Sequence, residues 1–294
     1  MILITGCTGF VGSTLVPMLK AKGHIVTGLV RTPNKRRGKP YPDIPMMSGS
    51  IMDPTSLERT MKGVDTVIHL VGILLEEGTQ SFEAVHHQGT RNVLEAAEKA
   101  GVKRYLHMSS LGTREHAASQ YHQSKWDAEC AVRDSKLDWT ILRPSVIFGR
   151  HDNFVNQFIN MAKFSPALPL LGDGSTQMQP IWVEDVARCF IAALDKPESV
   201  GKVYELGGPD RLTFKEILQT ILQASGKRRL LIPTPFTVLE AEAWVMERVL
   251  PTPPLTQDQL IMAQEDNICD IQEMCETFEV APRTFRDGLN DYNM

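Results

Sequence analysis

A serine pair, a tyrosine and a lysine lie within one short stretch of the chain. Ser109 and Ser110 follow an apolar run, and Tyr121 precedes Lys125 by four residues, which places both on one face of a helix. A phenol has a pKa of about 10 and is a poor base near neutrality, but a neighbouring ammonium group favours its anionic form. If a serine hydroxyl holds a substrate oxygen, Tyr121 and Lys125 would supply general acid–base catalysis for hydride transfer.

A glycine-rich loop at the start of the chain predicts a dinucleotide site. The apolar run 2–4 predicts a strand buried on both faces, and 13–21 predicts a helix. Between them, Gly6 would permit a tight turn, Gly9 would let a pyrophosphate approach the backbone, and Gly12 would let helix and strand pack closely. The helix N-terminus would face the phosphate charge. Three further loop residues are predicted to contact the cofactor: Thr8, Phe10 and Val11.

The end of the second predicted strand, 24–30, favours a phosphorylated cofactor. An acidic residue at this position binds the ribose hydroxyls of NAD, whereas an arginine accommodates the 2′-phosphate of NADP. The residue here is Arg31, and a planar guanidinium suits phosphate. Four more cations follow it: Lys35, Arg36, Arg37 and Lys39. The sequence predicts NADP(H), bound by Arg31 and Arg36, with NAD(H) as the alternative; a solvated basic loop is the competing interpretation of the cluster.

Strands and helices alternate through the first half of the chain. Apolar runs at 64–72, 102–108 and 139–144 predict strands, and 90–100 predicts a helix that ends at Gly101. The alternation predicts an α/β fold with a doubly wound parallel (Rossmann) sheet. Ligands bind such sheets at the carboxyl ends of the strands. The end of the run at 64–72 is therefore expected beside the cofactor, at Leu70, Val71 and Gly72.

Composition excludes several classes of protein. The 294 residues include 31 Lys+Arg and 35 Asp+Glu, a formal net charge of −4, which gives no sign of a nucleic-acid partner. The longest apolar run, around 67–75, falls far short of the roughly 20 residues that a bilayer span needs. The first residues lack the basic segment of a signal peptide, and the five cysteines form no CxxC pair. We expect a cytoplasmic protein.

The pattern changes after Gly149. We assign 1–150 to a dinucleotide-binding domain, to which 180–200 returns, and 151–294 to a smaller, interleaved lobe for substrate or partner. Within that lobe the sequence predicts a helix over 154–164 and a turn region over 166–169. From Val203 onward the chain is expected to build the smaller, substrate-side lobe.

An amphipathic segment, 236–250, has three interpretations. It is a lid or core helix of the smaller lobe, a surface for a dimer or partner, or a membrane-surface helix. Its three acids against one base disfavour the last. The sequence shows no metal-ligand spacing, so no metal is expected, and His86 and His87 are interpreted as polar packing.

Taken together, these motifs resemble the short-chain dehydrogenase/reductase superfamily in its extended or atypical form. The segments that carry the resemblance are TGCTGFVG (5–12), QGTRNVLEAAEKAGVKRYLHMSS (88–110), YHQSK (121–125), LRPSVIFG (142–149) and PIWVEDVA (180–187). Other segments are similar to bacterial relatives of the nucleotide-binding accessory subunit (alpha subcomplex subunit nine) of respiratory complex I: FGRHDNFVNQF (148–158), PLLGDGSTQMQPIWVEDVA (169–187) and TPPLTQDQLIMAQEDN (252–267).

The resemblance adds site residues and also shows departures from the family pattern. It implies that Pro144 and Val146 pass beside the nicotinamide. His86 stands where extended members carry an asparagine near the lysine. Gly49-Ser50 replaces the Gly-Asp pair that binds the adenine amino group, which leaves mainly backbone contacts near Ile51. The short stretch before Tyr121 lacks the longer loop of sugar epimerases.

Two functions stay open at this stage. The first is an NADPH-dependent oxidoreductase acting on a small carbonyl or hydroxyl substrate of unknown identity; the complete Ser/Tyr/Lys set favours it. The second is a non-catalytic, NADPH-binding accessory or redox-sensing module, which the complex I resemblance implies and which His86 favours. Peripheral association with a membrane or a complex, and oligomer formation, are compatible with both.

Overall fold

The computed structural model describes residues 1–32 and 43–292. Its strands are β1 (Ile2–Thr5), β2 (Val26–Val30), β3 (Met46–Ser48), β4 (Thr66–His69), β5 (Arg104–Met108), β6 (Asp138–Pro144), β7 (Ile147–Phe148), β8 (Ala167–Leu171), β9 (Gln177–Met178), β10 (Ile181–Trp182), β11 (Lys202–Leu206), β12 (Leu212–Thr213) and β13 (Leu230–Thr234). Its helices are α1 (Phe10–Ala21), α2 (Pro54–Thr60), α3 (Gly89–Ala100), α4 (Gln120–Asp134), α5 (Phe154–Phe164), α6 (Val183–Leu194), α7 (Phe214–Ala224), α8 (Phe236–Val249), α9 (Gln257–Ala263), α10 (Gln272–Phe278) and α11 (Phe285–Leu289). A π-helical turn, Glu83–Gln88, leads into α3.

Seven parallel strands form the main sheet in the order β11-β6-β5-β4-β1-β2-β3. The predicted doubly wound α/β fold is therefore confirmed. Alternation along β1 shows why its apolar run is continuous: Ile2 and Ile4 enter the core on the side of α1 and α6, whereas Leu3 packs with α2 and α3. A strand covered on both faces needs apolar residues at every position.

Two predictions about the second half are wrong. Val203 does not begin the smaller lobe, because β11 pairs with β6 as the seventh strand of the main sheet and buries Tyr204 and Leu206. Residues 167–169 are not a turn region but the start of β8, which pairs with β13. Leu168 and Leu170 alternate into the core of the smaller lobe, and Pro169 is tolerated because a two-stranded sheet consists only of edge strands.

The smaller lobe has its own core of α5, α7, α11 and β8. Helix α8 lies at its margin and buries only Leu239 and Ala243, which pack against Leu260 of α9. The rest of α8 includes exposed apolar side chains such as Trp244 and Val249. In the described parts of the chain, no helix combines the length and the apolar character needed to cross a membrane.

Candidate active site

The glycine loop joins the carboxyl end of β1 to α1. Gly6 has a φ of +79°, in the left-handed region, and a Cβ atom there would lie 3.1 Å from the carbonyl carbon of Leu70 at the end of β4. At Gly12 a Cβ atom would lie 2.3 Å from the carbonyl oxygen of Gly6. Only glycine at these positions allows the loop, the helix and β4 to approach so closely.

The start of α1 offers backbone donors to an anion. Gly9 is the N-cap residue, no side chain caps the helix, and the first turn contains no acidic residue. Thr8 and Gly9 are exposed and Phe10 is half-buried, whereas Val11 packs into the core. Because the first N–H groups of a helix have no partner within it and its dipole is positive at this end, the loop fits the pyrophosphate of a dinucleotide.

The predicted adenosine-side residues have different surroundings. Arg31 is exposed directly after β2 and donates a hydrogen bond to Oε1 of Gln80 at 3.1 Å. Ile51 is buried, and its carbonyl oxygen accepts a hydrogen bond from Asn92 at 2.8 Å. The remaining cations of the cluster lie outside the described residues: Lys35, Arg36, Arg37 and Lys39.

Lys125 lies at the carboxyl edge of the sheet, where the catalytic group is expected. Its side chain is 2% exposed, and Nζ donates a hydrogen bond to the carbonyl oxygen of Met108, the last residue of β5, at 2.9 Å. A Cβ atom at Gly72 would lie 3.4 Å from this Nζ, so the end of the β4 segment borders the lysine. Burial lowers the pKa of Lys125 to about 8, although the Glu129 carboxylate opposes the change.

Tyr121 lies one helical turn before Lys125 and near Ser110. Its ring makes edge contacts with Phe82 at 5.8 Å and with His86 at 5.3 Å between centroids. Burial raises the pKa of Tyr121, and the neighbouring Ser110 side chain opposes that rise. Ser110 is therefore the serine that accompanies the phenol.

Ser109 has a different environment. Its hydroxyl is buried and donates to Oε1 of Glu129 at 2.6 Å. Glu129 is completely buried and also accepts two hydrogen bonds from Arg143, each at 2.7 Å, and one from Arg133 at 2.8 Å. Sequence reasoning missed Glu129, although its position four residues after Lys125 on α4 is a usable signal. Ser109 thus joins β5, β6 and α4 beneath the site.

His86 is fixed as a neutral group. Nε2 accepts a hydrogen bond from the backbone N–H of Ile73 at 3.0 Å, so the proton is on Nδ1, which donates to Ser124 at 2.8 Å. The Ser124 hydroxyl in turn donates to the carbonyl oxygen of Tyr121. Burial, reinforced by the charge of Lys125, lowers the pKa of His86 to about 2. The imidazole positions the Tyr121 turn of α4 and the loop after β4.

A C-terminal segment, which we call the strap (256–267), crosses the start of α4. The carboxylate of Asp258 accepts hydrogen bonds from the backbone N–H groups of Gln120 at 2.7 Å and Tyr121 at 3.1 Å. Arg114 forms a two-point ion pair with Glu265 farther along the strap. No sequence signal links Asp258 to a helix more than a hundred residues earlier, and it too was missed.

Pro144 ends β6, the strand next to β5, and Val146 lies between β6 and β7. Pro144 is buried, and its carbonyl oxygen accepts from the N–H of Leu111 at 2.9 Å. Val146 is half-buried and packs against the core of the smaller lobe, while its carbonyl oxygen accepts from Ile181. This segment connects the strand edge with the smaller lobe.

One group of potential metal ligands occurs in the described ranges 1–32 and 43–292. Glu83, His87 and Asp127 place one ligand atom each within 4.8 Å of one another. The two carboxylates are exposed, and His87 already pairs with Glu83 at 2.8 Å. The group is an ordinary surface ion pair with a neighbouring acid, so it carries no assignment of a metal.

Comparisons with known proteins fit this arrangement. The chain is 34% identical over 247 residues to NADH dehydrogenase (ubiquinone) 1 alpha subcomplex subunit 9, mitochondrial, of Arabidopsis thaliana. This match covers 82% of this chain and 61% of the relative. It is 33% identical over 242 residues to the ceramide reductase of Caulobacter vibrioides, covering 80% of this chain and 74% of that protein. The match therefore spans less than two thirds of the plant relative.

A solved structure supports the fold. The UDP-glucose 4-epimerase of Thermus thermophilus in complex with NAD superposes with a TM-score of 0.72 and 20% identity, covering 98% of this chain and 96% of that one. The resemblance to extended short-chain dehydrogenases/reductases and to the complex I subunit is confirmed. The model of the NAD dependent epimerase/dehydratase family matches residues 2–207, and the chain belongs to that family.

Proposed function

We propose that the protein is an NADP(H)-dependent oxidoreductase that interconverts a carbonyl and a hydroxyl group on a small substrate. The observation that carries the proposal is the convergence of Tyr121, Lys125 and Ser110 at the strand edge, next to Gly72 and the glycine loop. General acid–base catalysis requires such groups within hydrogen-bond reach of one reacting oxygen.

Each side chain has a role that follows from its surroundings. Ser110 binds the substrate oxygen, and Tyr121 gives it a proton during reduction and takes the proton back during oxidation. Burial alone opposes the phenolate that this cycle produces, so the Lys125 ammonium is needed to stabilise it. A bound nicotinamide supplies or accepts the hydride. Ser109 holds the end of β5 through Glu129 and does not meet the substrate.

Preference for the phosphorylated cofactor rests on Arg31. The guanidinium lies at the end of β2 and pairs with a neutral amide, Gln80. In the described ranges no carboxylate forms an ion pair with it. Exchange of a neutral partner for a 2′-phosphate would replace one hydrogen bond with a stronger, charge-assisted one.

The relatives support two candidate functions. The ceramide reductase favours an oxidoreductase, whereas the complex I subunits favour a non-catalytic module that binds the dinucleotide. The specific observation in favour of the non-catalytic module is His86. Both of its ring nitrogens form hydrogen bonds, one with the backbone N–H of Ile73 and one with the Ser124 hydroxyl. We further propose a cytoplasmic location, since all five cysteines are free thiols and a reducing compartment suits them.

Oxidation of NADPH by the purified protein, with a panel of carbonyl compounds, tests the proposal. Tyr121→Phe should lower kcat/KM by about 10²–10⁴-fold while NADPH still binds, because the variant loses only the proton donor. Tyr204→Phe is the matched control, since the Tyr204 hydroxyl is buried in β11 and has no hydrogen-bond partner among the residues that the structure describes. Lys125→Met should impair both binding and turnover.

Two outcomes would overturn the proposed enzyme. Turnover that persists in Tyr121→Phe would refute the mechanism. A wild-type protein that binds NADPH but reduces no member of the panel would support the accessory module instead.

A further inference from the structure

One end of the smaller lobe exposes apolar side chains beside cations. Helix α5 ends in Phe164, which is 90% exposed, and β13 begins with Leu230, which is 71% exposed, and continues to Ile232 at 51%. We call this surface the basic–apolar patch, and its six residues are Lys163, Phe164, Lys227, Arg228, Leu230 and Ile232. Large apolar side chains rarely cluster on a surface without a binding partner.

The two segments of the patch are held together by defined contacts. Nε of Arg229 donates to the carbonyl oxygen of Ala162 at 2.9 Å, and the N–H of Leu230 donates to Pro166 at 3.1 Å. These bonds fix the start of β13 against the end of α5, so Phe164 and Leu230 belong to one surface.

The charges of the patch are not neutralised by the protein. In the described ranges, no carboxylate forms an ion pair with Lys163, Lys227 or Arg228, although ion pairs occur widely elsewhere. Desolvation and the neighbouring charges of Lys163 and Arg229 lower the pKa of Lys227, in agreement with a crowded group of cations. The whole chain carries −4, so this patch differs in sign from the molecule that bears it.

We propose that the basic–apolar patch docks onto the surface of an anionic lipid bilayer. Transfer of the exposed Phe and Leu side chains from water into the membrane interface is favourable. The cations of the patch pair with the lipid phosphates. The Debye length of about 8 Å at physiological ionic strength screens the distant acidic groups from the bilayer, so the local cations dominate.

The patch fits a bilayer better than it fits a second copy of the chain. A two-fold dimer would bring the same surface of each copy together and oppose cation to cation. Helix α8, which also exposes apolar side chains, does not suit an anionic bilayer because it carries Glu240, Glu242 and Glu247. The membrane contact therefore lies at the ends of α5 and β13 and not on α8.

Co-sedimentation of the full chain with vesicles tests the proposal. We expect binding to vesicles of phosphatidylcholine mixed with phosphatidylglycerol, weak binding to phosphatidylcholine alone, and a decline with added salt. The double variant Lys227→Gln/Arg228→Gln should bind roughly 25-fold more weakly, from about fivefold for each cation. Phe164→Ser should also reduce binding, because it removes the most exposed apolar group.

Matched controls separate the patch from general effects. The double variant Lys22→Gln/Lys62→Gln removes two exposed cations from the dinucleotide domain, and Val249→Ser removes an exposed apolar side chain from α8. Both controls should bind vesicles like the wild type, and all variants should keep the wild-type melting temperature.

Several results would overturn the proposal. They are equal binding to neutral and anionic vesicles, unchanged binding of the Lys227/Arg228 variant, and a loss of binding in the controls as large as in the patch variants. Self-association that Phe164→Ser abolishes, without any vesicle binding by the wild type, would assign the surface to a second copy.

Discussion

Replacement of Glu129 by glutamine should destabilise the fold more than any surface change on α4. The carboxylate is completely buried and accepts hydrogen bonds from Ser109, Arg133 and twice from Arg143. Glutamine has nearly the same shape but carries no charge and turns one acceptor into a donor. The change therefore isolates the electrostatic part of the interaction.

The expected cost follows from what is left behind. The side chain of Arg143 is only 14% exposed, and its remaining acidic neighbour, Glu205, is 3.8 Å away and half-exposed. Breaking a buried ion pair by removing one partner costs about 3–5 kcal/mol, and we expect Glu129→Gln to fall in this range. Arg133→Gln is the matched control: this arginine is 30% exposed and its loss should cost at most about 1 kcal/mol.

Urea denaturation followed by circular dichroism measures both variants. A loss of less than about 1 kcal/mol in Glu129→Gln, comparable to the control, would refute the claim that this carboxylate is a buried ionic centre. The same variant should lower the pKa of Lys125 further, because Glu129 supports the charged lysine. The alkaline limit of any turnover should then move to lower pH.

Three further predictions concern the cofactor and the lysine. NADPH should bind at least tenfold more tightly than NADH, about 1.4 kcal/mol, and Arg31→Ala should abolish the difference in calorimetry; equal affinities in the wild type would disprove the preference. Gly9→Val should prevent dinucleotide binding but leave the melting temperature almost unchanged, because a Cβ atom there meets only the Gly6 carbonyl oxygen at 3.2 Å; normal binding would show that the loop is wrongly assigned. Because the folded pKa of Lys125 is about 8 against 10.5 in the unfolded chain, the unfolded state binds more protons between these values, so the cofactor-free protein should gain up to about 3 kcal/mol as pH rises through this window. Lys125→Met should remove that gain in urea denaturation at pH 7.5 and 9.5, and an identical gain in the variant would contradict it.

The sequence was sufficient for the features that depend on local patterns. The glycine spacing, the buried strands and the four-residue interval of Tyr121 and Lys125 are short-range signals, and the sheet brings them to one edge as expected. The helix stop at Gly101 is of the same kind, since its φ of +76° suits glycine.

Long-range partners were beyond such reasoning. Strand β11 joins β6 across about sixty residues, and nothing in the Lys202–Leu206 segment specifies which sheet receives it. The choice between Ser109 and Ser110 required the position of Glu129, and Asp258 reaches α4 only in the folded chain. The pairing of β11 and the Asp258 contact depend on tertiary structure, and neither periodicity nor spacing indicates them. For Glu129 the only sequence signal is its position four residues after Lys125 on α4.

The strap has a consequence for the order in which the protein is completed during synthesis. The ribosome releases the N-terminal strands first, and domains generally fold as they emerge. However, α4 receives the Asp258 carboxylate at its N-terminus only after residues 120–258 have all been made. The helix that carries Tyr121 and Lys125 thus gains this contact only after the chain has been made as far as Asp258. A nascent chain can already form the glycine loop long before Asp258 is available to α4, so the glycine loop should be complete before the N-terminus of α4 has its Asp258 contact.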